Sequence, residues 1–158
     1  MYLRLSQVNK IAVDRLVLAK GQPTEIQLHG FCDSSQKAYG ARLYLRSVNQ
    51  QGELLCSKSR VAPVKKITFP RLELCGALLL AQLIQKTVPA LILKIDRNLL
   101  WTDSMIVLSW LATSTSKWKT FVAKRVSQIK EYTTRCGDIL HPQAIQQISY
   151  HEAQIWRP

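Results

Sequence analysis

Apolar and polar residues alternate strictly from Ile26 onward. Positions 26, 28, 30 and 32 form one face, and the intervening positions form a second face that ends at Asp33. A period of two residues is typical of a β-strand with one buried face. Similar runs cover 41–46 and 54–59, and polar turn sequences separate the three runs. Short connections of this kind predict three antiparallel strands in a meander.

A long apolar run over 72–81 follows the predicted meander and has helix signals at both ends. Thr68 is a suitable N-cap residue, Pro70 is compatible with a first helical turn, and Pro89 closes the region. Because nearly every side of this helix is apolar, we expect it to be buried against a sheet. The pattern places Glu73 in its first turn.

The second half of the chain predicts further strands and two helices. Residues 90–95 and 99–102 indicate one or two strands, and residues 105–112 a short helix. Apolar side chains recur at helical spacing over 121–132, which predicts an amphipathic helix. The pattern loses definition beyond residue 135. This order predicts an α/β fold: a mixed sheet, made of the antiparallel meander and parallel strands, with helices packed on it.

Composition and charge narrow the class of protein. The chain has 158 residues, of which 47% are hydrophobic, enough for the core of one domain. Lys and Arg number 22 against 10 Asp and Glu, so the formal net charge is +12. The simplest partner for such a charge is nucleic acid. The alternatives are a basic protein without a ligand and a piece of a larger assembly.

The cysteines and the apolar segments bear on the cellular compartment. The four cysteines lie far apart without a Cys-x-x-Cys pair, and they are Cys32, Cys56, Cys75 and Cys136. We expect reduced thiols in an intracellular protein, in a cytoplasmic particle or in the nucleus. The histidines have no ligand spacing with them, so zinc is not expected. Residues 1–20 do not form a signal peptide and the run at 72–84 is too short for a membrane span, so no membrane partner is expected.

Three carboxylates occupy unusual places in the pattern. Asp33 ends the first predicted strand, Asp103 follows a later strand, and Glu73 lies within the apolar helix. If the first and fourth strands are neighbours, the two aspartates meet at the strand ends. Converging carboxylates suit Mg²⁺, and two such ions can promote phosphodiester cleavage. The alternative is that the aspartates cap turns and that Glu73 interacts with the helix dipole.

Six segments resemble the BEL/Pao group of retrotransposon polyproteins, in the order in which that family has them. They read His-Gly-Phe-Cys-Asp-Ser-Ser at 29–35, Ala-Tyr-Gly-Ala at 38–41, Ser-Lys-Ser-Arg-Val-Ala-Pro at 57–63, Pro-Arg-Leu-Glu-Leu-Cys at 70–75, Trp-Thr-Asp-Ser at 101–104 and Phe-Val-Ala-Lys-Arg-Val at 121–126. The resemblance implies a ribonuclease-H-like domain that follows a reverse transcriptase and degrades RNA in RNA–DNA hybrids with Mg²⁺. It implies Asp33, Glu73 and Asp103 as catalytic, metal-binding residues.

The resemblance also suggests a division of the chain. Residues 1–24 are interpreted as a lead-in from the upstream polyprotein, 25–135 as the ribonuclease-H-like domain, and 136–158 as a divergent tail. In the family an Asn-Pro-Ala-Asp motif follows the long helix and supplies a fourth carboxylate. This sequence lacks the motif, and Asp138 and Glu152 are the available replacements. A non-catalytic nucleic-acid-binding fragment is therefore the alternative function.

The family is also known as the Pao retrotransposon peptidase, a name that implies a different chemistry. A retroviral-type aspartic protease needs an Asp-Ser/Thr-Gly turn. The sequence reads Asp33-Ser34-Ser35 and Asp103-Ser104-Met105, and neither triplet contains the glycine. Protease activity is therefore not expected.

Two further residue types have alternative interpretations. Lys119, Lys124, Arg125 and Lys130 lie on the predicted amphipathic helix, where they either contact the phosphates of a nucleic acid or form a solvated face. The tryptophans Trp101, Trp110 and Trp118 either stack on bases or belong to the core, and their apolar neighbours favour the core.

Overall fold

A computed structural model describes residues 25–47, 52–135 and 145–147. Within these ranges the strands are β1 (Ile26–Ser34), β2 (Ala38–Ser47), β3 (Glu53–Val61), β4 (Arg97–Thr102) and β5 (Ile145–Gln147). The α-helices of the same ranges are α1 (Phe69–Thr87), α2 (Met105–Ala112) and α3 (Thr120–Arg135). Short 3-10 turns occupy Val88–Ala90 and Thr115–Lys117.

The strands form one mixed sheet in the order β3-β2-β1-β4-β5. The first three strands are the predicted antiparallel meander. Strand β4 then pairs with β1 in parallel, and β5 pairs with β4 in parallel. The mixed-sheet fold predicted from the sequence is therefore confirmed.

The core lies between the sheet and helix α1. The alternation in β1 and β2 puts Leu28 and Leu43 on the inner face, where both are fully buried. Gly30 occupies the tightest point, since a Cβ atom there would lie 2.8 Å from the side chain of Leu80 and 2.9 Å from that of Leu100. Absence of a side chain at this position lets the helix pack closely on the sheet.

Two details of the predicted elements were wrong. Helix α1 begins at Phe69, so its first turn contains no acidic residue and Glu73 lies one turn further in. Residues 91–96 form no strand. The reason is that Asp96 ends the connection: its carboxylate accepts the N–H of Ile26 at 2.8 Å, and its own N–H donates to the Ile26 carbonyl at 2.9 Å. Strand pairing with β1 starts only after these bonds.

Strand β5 lies inside 136–158, the segment interpreted from the resemblance as a divergent tail. It pairs with Leu100–Thr102 at the end of β4. The lead-in 1–24 and the alternative carboxylates Asp138 and Glu152 lie outside the described residues. Among the residues that are described, no helix combines the length and the apolar character that a membrane crossing requires.

Candidate active site

Asp33 and Asp103 occupy equivalent places at the ends of two adjacent parallel strands. The last paired residues of β1 and β4 are Phe31 and Trp101, and each aspartate follows two residues later. Both aspartates are exposed. The condition stated from the sequence, that the first and fourth strands are neighbours, is met, so the two carboxylates lie at one edge of the sheet.

Helix α1 brings Glu73 to the same edge. Gly76, one turn along α1, packs against the end of β1, where a Cβ atom on it would lie 3.4 Å from the Asp33 carbonyl oxygen. The Glu73 carboxylate accepts a 2.6 Å hydrogen bond from Ser104 Oγ. Because Ser104 follows Asp103 directly, Glu73 lies beside one aspartate and its helix packs on the other.

The charges of all three carboxylates affect the pKa of the buried Cys32 thiol. Burial raises the pKa of this thiol from 9.0 to about 12, against the lowering effect of a hydrogen bond with Thr102. The negative charges of Asp103, Asp33 and Glu73 add to the rise in pKa. The charges of all three predicted carboxylates therefore act on this one thiol.

The three carboxylates do not form a closed ligand set. Within the described ranges, no group of three or more His, Cys, Asp or Glu side chains is arranged to hold a metal ion. Oxygen donors of this type are those that Mg²⁺ prefers. The donor chemistry thus fits a hard cation, whereas Glu73 has one oxygen engaged by Ser104.

Ser104 is a residue of this site that the sequence interpretation treated only as a neighbour of Asp103. It is the N-cap of α2, where its side chain accepts the Val107 N–H. The available signal was a serine placed directly before an apolar helical run, which is typical of an N-cap. Its second contact, with Glu73, joins residues that are 31 positions apart, so no local sequence pattern predicts it.

The four basic residues predicted to bind nucleic acid differ in exposure and in their contacts within the protein. Lys119 and Lys124 are exposed. Arg125 is half-buried, and its guanidinium lies 3.6 Å from the centroid of the Phe121 ring. Lys130 is half-buried and donates to the Thr113 carbonyl at 3.3 Å. Two of the four side chains therefore have contacts within the protein.

A shallow depression lies beside the exposed part of α3. Its volume is about 390 Å³, and its lining residues are Thr115, Ala123, Lys124, Ser127 and Gln128. Arg71 of α1 contacts the same aromatic ring as Arg125 of α3, since its guanidinium lies 5.0 Å from the centroid of the Phe121 ring. Helical periodicity within one element does not reveal this pairing.

The tryptophans belong to the core, as their apolar neighbours indicated. Trp101 is buried and its indole N–H donates to Nδ1 of His29 at 3.3 Å. Trp110 and Trp118 pack edge to face with their centroids 6.2 Å apart, and both contact the core. These contacts account for all three side chains without a base-stacking role.

Solved structures with similar folds define the class of this domain. Ribonuclease H1 from the halophilic archaeon Halobacterium salinarum has a TM-score of 0.51 and 13% identity, covering 82% of this chain and 89% of its own. LC11-RNase H1, solved in complex with an RNA/DNA hybrid, has a TM-score of 0.52 and 9% identity, covering 81% and 88%. The fold is therefore that of ribonuclease H.

The chain belongs to the family described as the Pao retrotransposon-like RNaseH-like domain, whose model matches residues 1–104. The matched region contains Asp33, Glu73 and Asp103, and it also includes the segment 1–24. It does not include α3, which carries the 121–126 segment of the resemblance. No curated protein matches this sequence.

A viral polyprotein product also contains this fold as a part. The prototype foamy virus protease–reverse transcriptase has a TM-score of 0.50 and 14% identity, covering 92% of this chain. The present chain spans only 21% of that protein.

Proposed function

We propose that this domain cleaves the RNA strand of RNA–DNA hybrids with the help of Mg²⁺, as the ribonuclease H part of a retrotransposon polyprotein. The observation that carries the proposal is the parallel pairing of β1 with β4, whose ends carry Asp33 and Asp103, together with the hydrogen bond that links Glu73 to Ser104, the neighbour of Asp103.

The division of roles follows from where each side chain is held. Asp33 and Asp103 are on strand ends, which fixes their backbone positions, and their side chains are exposed to an incoming strand. Glu73 is half-buried on a helix and is oriented by Ser104. These three residues would hold Mg²⁺, which when bound activates water and stabilises charge on a phosphodiester.

The substrate class is supported by charge and by analogy. The net charge of +12 favours a polyanion. LC11-RNase H1, which shares the fold, was solved with an RNA/DNA hybrid. A polymerase as the upstream partner agrees with the foamy virus protein, in which protease and reverse transcriptase accompany a similar fold. The exposed Lys119, directly before α3, and Lys124, on α3, are the cations assigned to phosphate contacts.

The test is cleavage of a labelled RNA–DNA hybrid in the presence of Mg²⁺ or of a chelator. Asp33→Asn and Asp103→Asn remove one charge each with little change in shape, and we expect both to abolish cleavage while hybrid binding persists. Glu53→Gln is the matched control, because Glu53 is exposed at the start of the edge strand β3. Cleavage that survives in both aspartate variants, or that does not need the metal, would contradict the proposal.

A second candidate function is a non-catalytic nucleic-acid-binding domain. The observation that favours it is the missing Asn-Pro-Ala-Asp motif, together with the open arrangement of the three carboxylates. This function predicts salt-dependent hybrid binding by the wild-type protein without cleavage at any Mg²⁺ concentration.

A further inference from the structure

Ser104 joins the end of β4 to helix α1 through a single hydroxyl group. It is only 4% exposed. Its Oγ donates to Glu73 Oε2 at 2.6 Å and accepts from the Val107 N–H at 3.2 Å. Its backbone N–H donates to the Thr102 hydroxyl at 3.3 Å. Two hydrogen bonds therefore fix the side chain, and a third fixes the backbone of the same residue.

The direction of each bond follows from the donors that are present. A backbone N–H can only donate, so the bond from Val107 occupies a lone pair of the Ser104 oxygen. The hydroxyl hydrogen is then directed at Glu73, whose ionised carboxylate can only accept. The distance of 2.6 Å is in the range of charge-assisted O–H···O⁻ bonds, which are stronger than neutral ones.

From this geometry we infer that Ser104 is a positioning residue for Glu73. It fixes the rotation of the Glu73 carboxylate relative to Asp103, and it connects that carboxylate to the N-terminus of α2. The inference rests on the proposed function, and it extends it by assigning a role to a residue outside the carboxylate set. Partners that orient a metal ligand in this way typically matter about 10- to 100-fold for metal affinity or activity.

Ser104 is also the N-cap of α2, and loss of that role by itself would lower only the stability of the protein. A test of the positioning role therefore needs a substitution that removes the hydroxyl and keeps the helix end stable. Glycine replaces serine at an N-cap at a cost of only a few tenths of a kcal/mol, and it has no hydroxyl. Ser104→Gly therefore removes the donor to Glu73 and leaves the helix end nearly unchanged. Ser104→Thr keeps the hydroxyl and serves as the conservative control.

The experiment measures Mg²⁺ binding by isothermal titration calorimetry, together with cleavage as a function of Mg²⁺ concentration and thermal unfolding. We expect Ser104→Gly to weaken Mg²⁺ binding and cleavage by roughly 10- to 100-fold. Ser104→Thr should remain close to wild type. In a Glu73→Gln background, Ser104→Gly should have no further effect on Mg²⁺ binding, because its effect passes through the carboxylate.

The outcomes distinguish this inference from the proposed function. Wild-type cleavage and Mg²⁺ binding that Ser104→Gly leaves unchanged would overturn the positioning role alone. An equal loss of Mg²⁺ affinity with and without Glu73→Gln would also overturn it, since Ser104 would then act independently of Glu73. A wild-type protein that neither binds Mg²⁺ nor cleaves the hybrid would overturn the proposed function and this inference together.

Discussion

Gly76 of helix α1 lies against Asp33 at the end of strand β1. A Cβ atom on Gly76 would be 3.4 Å from the Asp33 carbonyl oxygen and 3.7 Å from Cys32 Cβ. These are the distances of ordinary van der Waals contact, so the helix rests on the strand with room for one methyl group. Gly30 differs, because a Cβ atom there would lie between 2.8 and 3.0 Å from the side chains of Leu80, Leu100 and Leu43.

The two glycines should therefore respond oppositely to alanine. Gly76→Ala should raise the free energy of unfolding by up to about 1 kcal/mol, because alanine favours the helix interior. Gly30→Ala should lower it by about 1–3 kcal/mol, because the three surrounding leucines are fully buried and cannot move aside. Urea unfolding of both variants checks the prediction. A destabilised Gly76→Ala protein would show that contact with Asp33 is tighter than the structure indicates.

Much of this arrangement could be predicted from residue patterns. Alternation defined β1 and β2, because one face of each strand is buried and the other is mostly half-buried or exposed, with the buried His29 as an exception. Placement of the two aspartates depended on one condition, the pairing of the first and fourth strands, and β4 meets it.

The remaining features depend on contacts between residues far apart in the chain. The bond between Ser104 and Glu73 spans 31 residues, and no local pattern encodes it. The connection before β4 has apolar residues, Ile92 and Leu93, that suggested a strand, but both are exposed and Asp96 ends the segment by binding Ile26. Similarly, α3 periodicity could not show that Arg125 stacks on Phe121.

Cys32 should make stability depend on pH at the alkaline end. Its thiol has a pKa of about 12 in the folded protein against the ordinary value of 9.0. Below pH 9 the thiol is protonated in both states and contributes no pH dependence. Between the two values only the unfolded protein loses the proton, so the free energy of unfolding falls as pH rises.

The limiting slope for one proton is about 1.4 kcal/mol per pH unit. Unfolding curves at pH 8, 9 and 10 measure this slope for wild type and for Cys32→Ala. The difference between the two slopes is the contribution of Cys32, because the lysines, tyrosines and other cysteines are the same in both proteins. We expect the wild type to lose stability more steeply above pH 9. Parallel pH profiles would show that the folded thiol ionises as readily as the unfolded one.

The exposed Lys119, directly before α3, and Lys124, on α3, should contribute to nucleic-acid affinity through counterion release. Lys119→Gln and Lys124→Gln should each weaken hybrid binding and reduce the slope of log affinity against log salt by about 1. Lys94→Gln is the control, because Lys94 is exposed but precedes β4, whose opposite end leads to Asp103. Fluorescence anisotropy across a salt series measures the slopes. If the slope of log affinity against log salt is the same for the Lys124 and Lys94 variants, α3 is not part of the binding surface.

Lys130 and Arg125 should behave differently from those two lysines, although Lys124 lies on the same helix and Lys119 directly precedes it. Lys130 donates to the Thr113 carbonyl, and Arg125 stacks on Phe121 and donates to the Phe121 carbonyl at 3.1 Å. Arg125→Met keeps most of the apolar contact and loses the cation–π interaction and the hydrogen bond. We expect it to lower the free energy of unfolding by about 1–2 kcal/mol.

Lys130→Met should lower the free energy of unfolding by less, up to about 1 kcal/mol, because it removes one hydrogen bond at a half-buried position. Neither substitution should change the salt slope as much as Lys124→Gln does, since side chains engaged within the protein are less available to phosphates. Thermal unfolding and salt-dependent hybrid binding, measured on the same preparations, separate the two effects. A full unit of slope lost in Lys130→Met with unchanged stability would mean that Lys130 leaves Thr113 to contact a phosphate, and that the basic surface extends along the whole of α3.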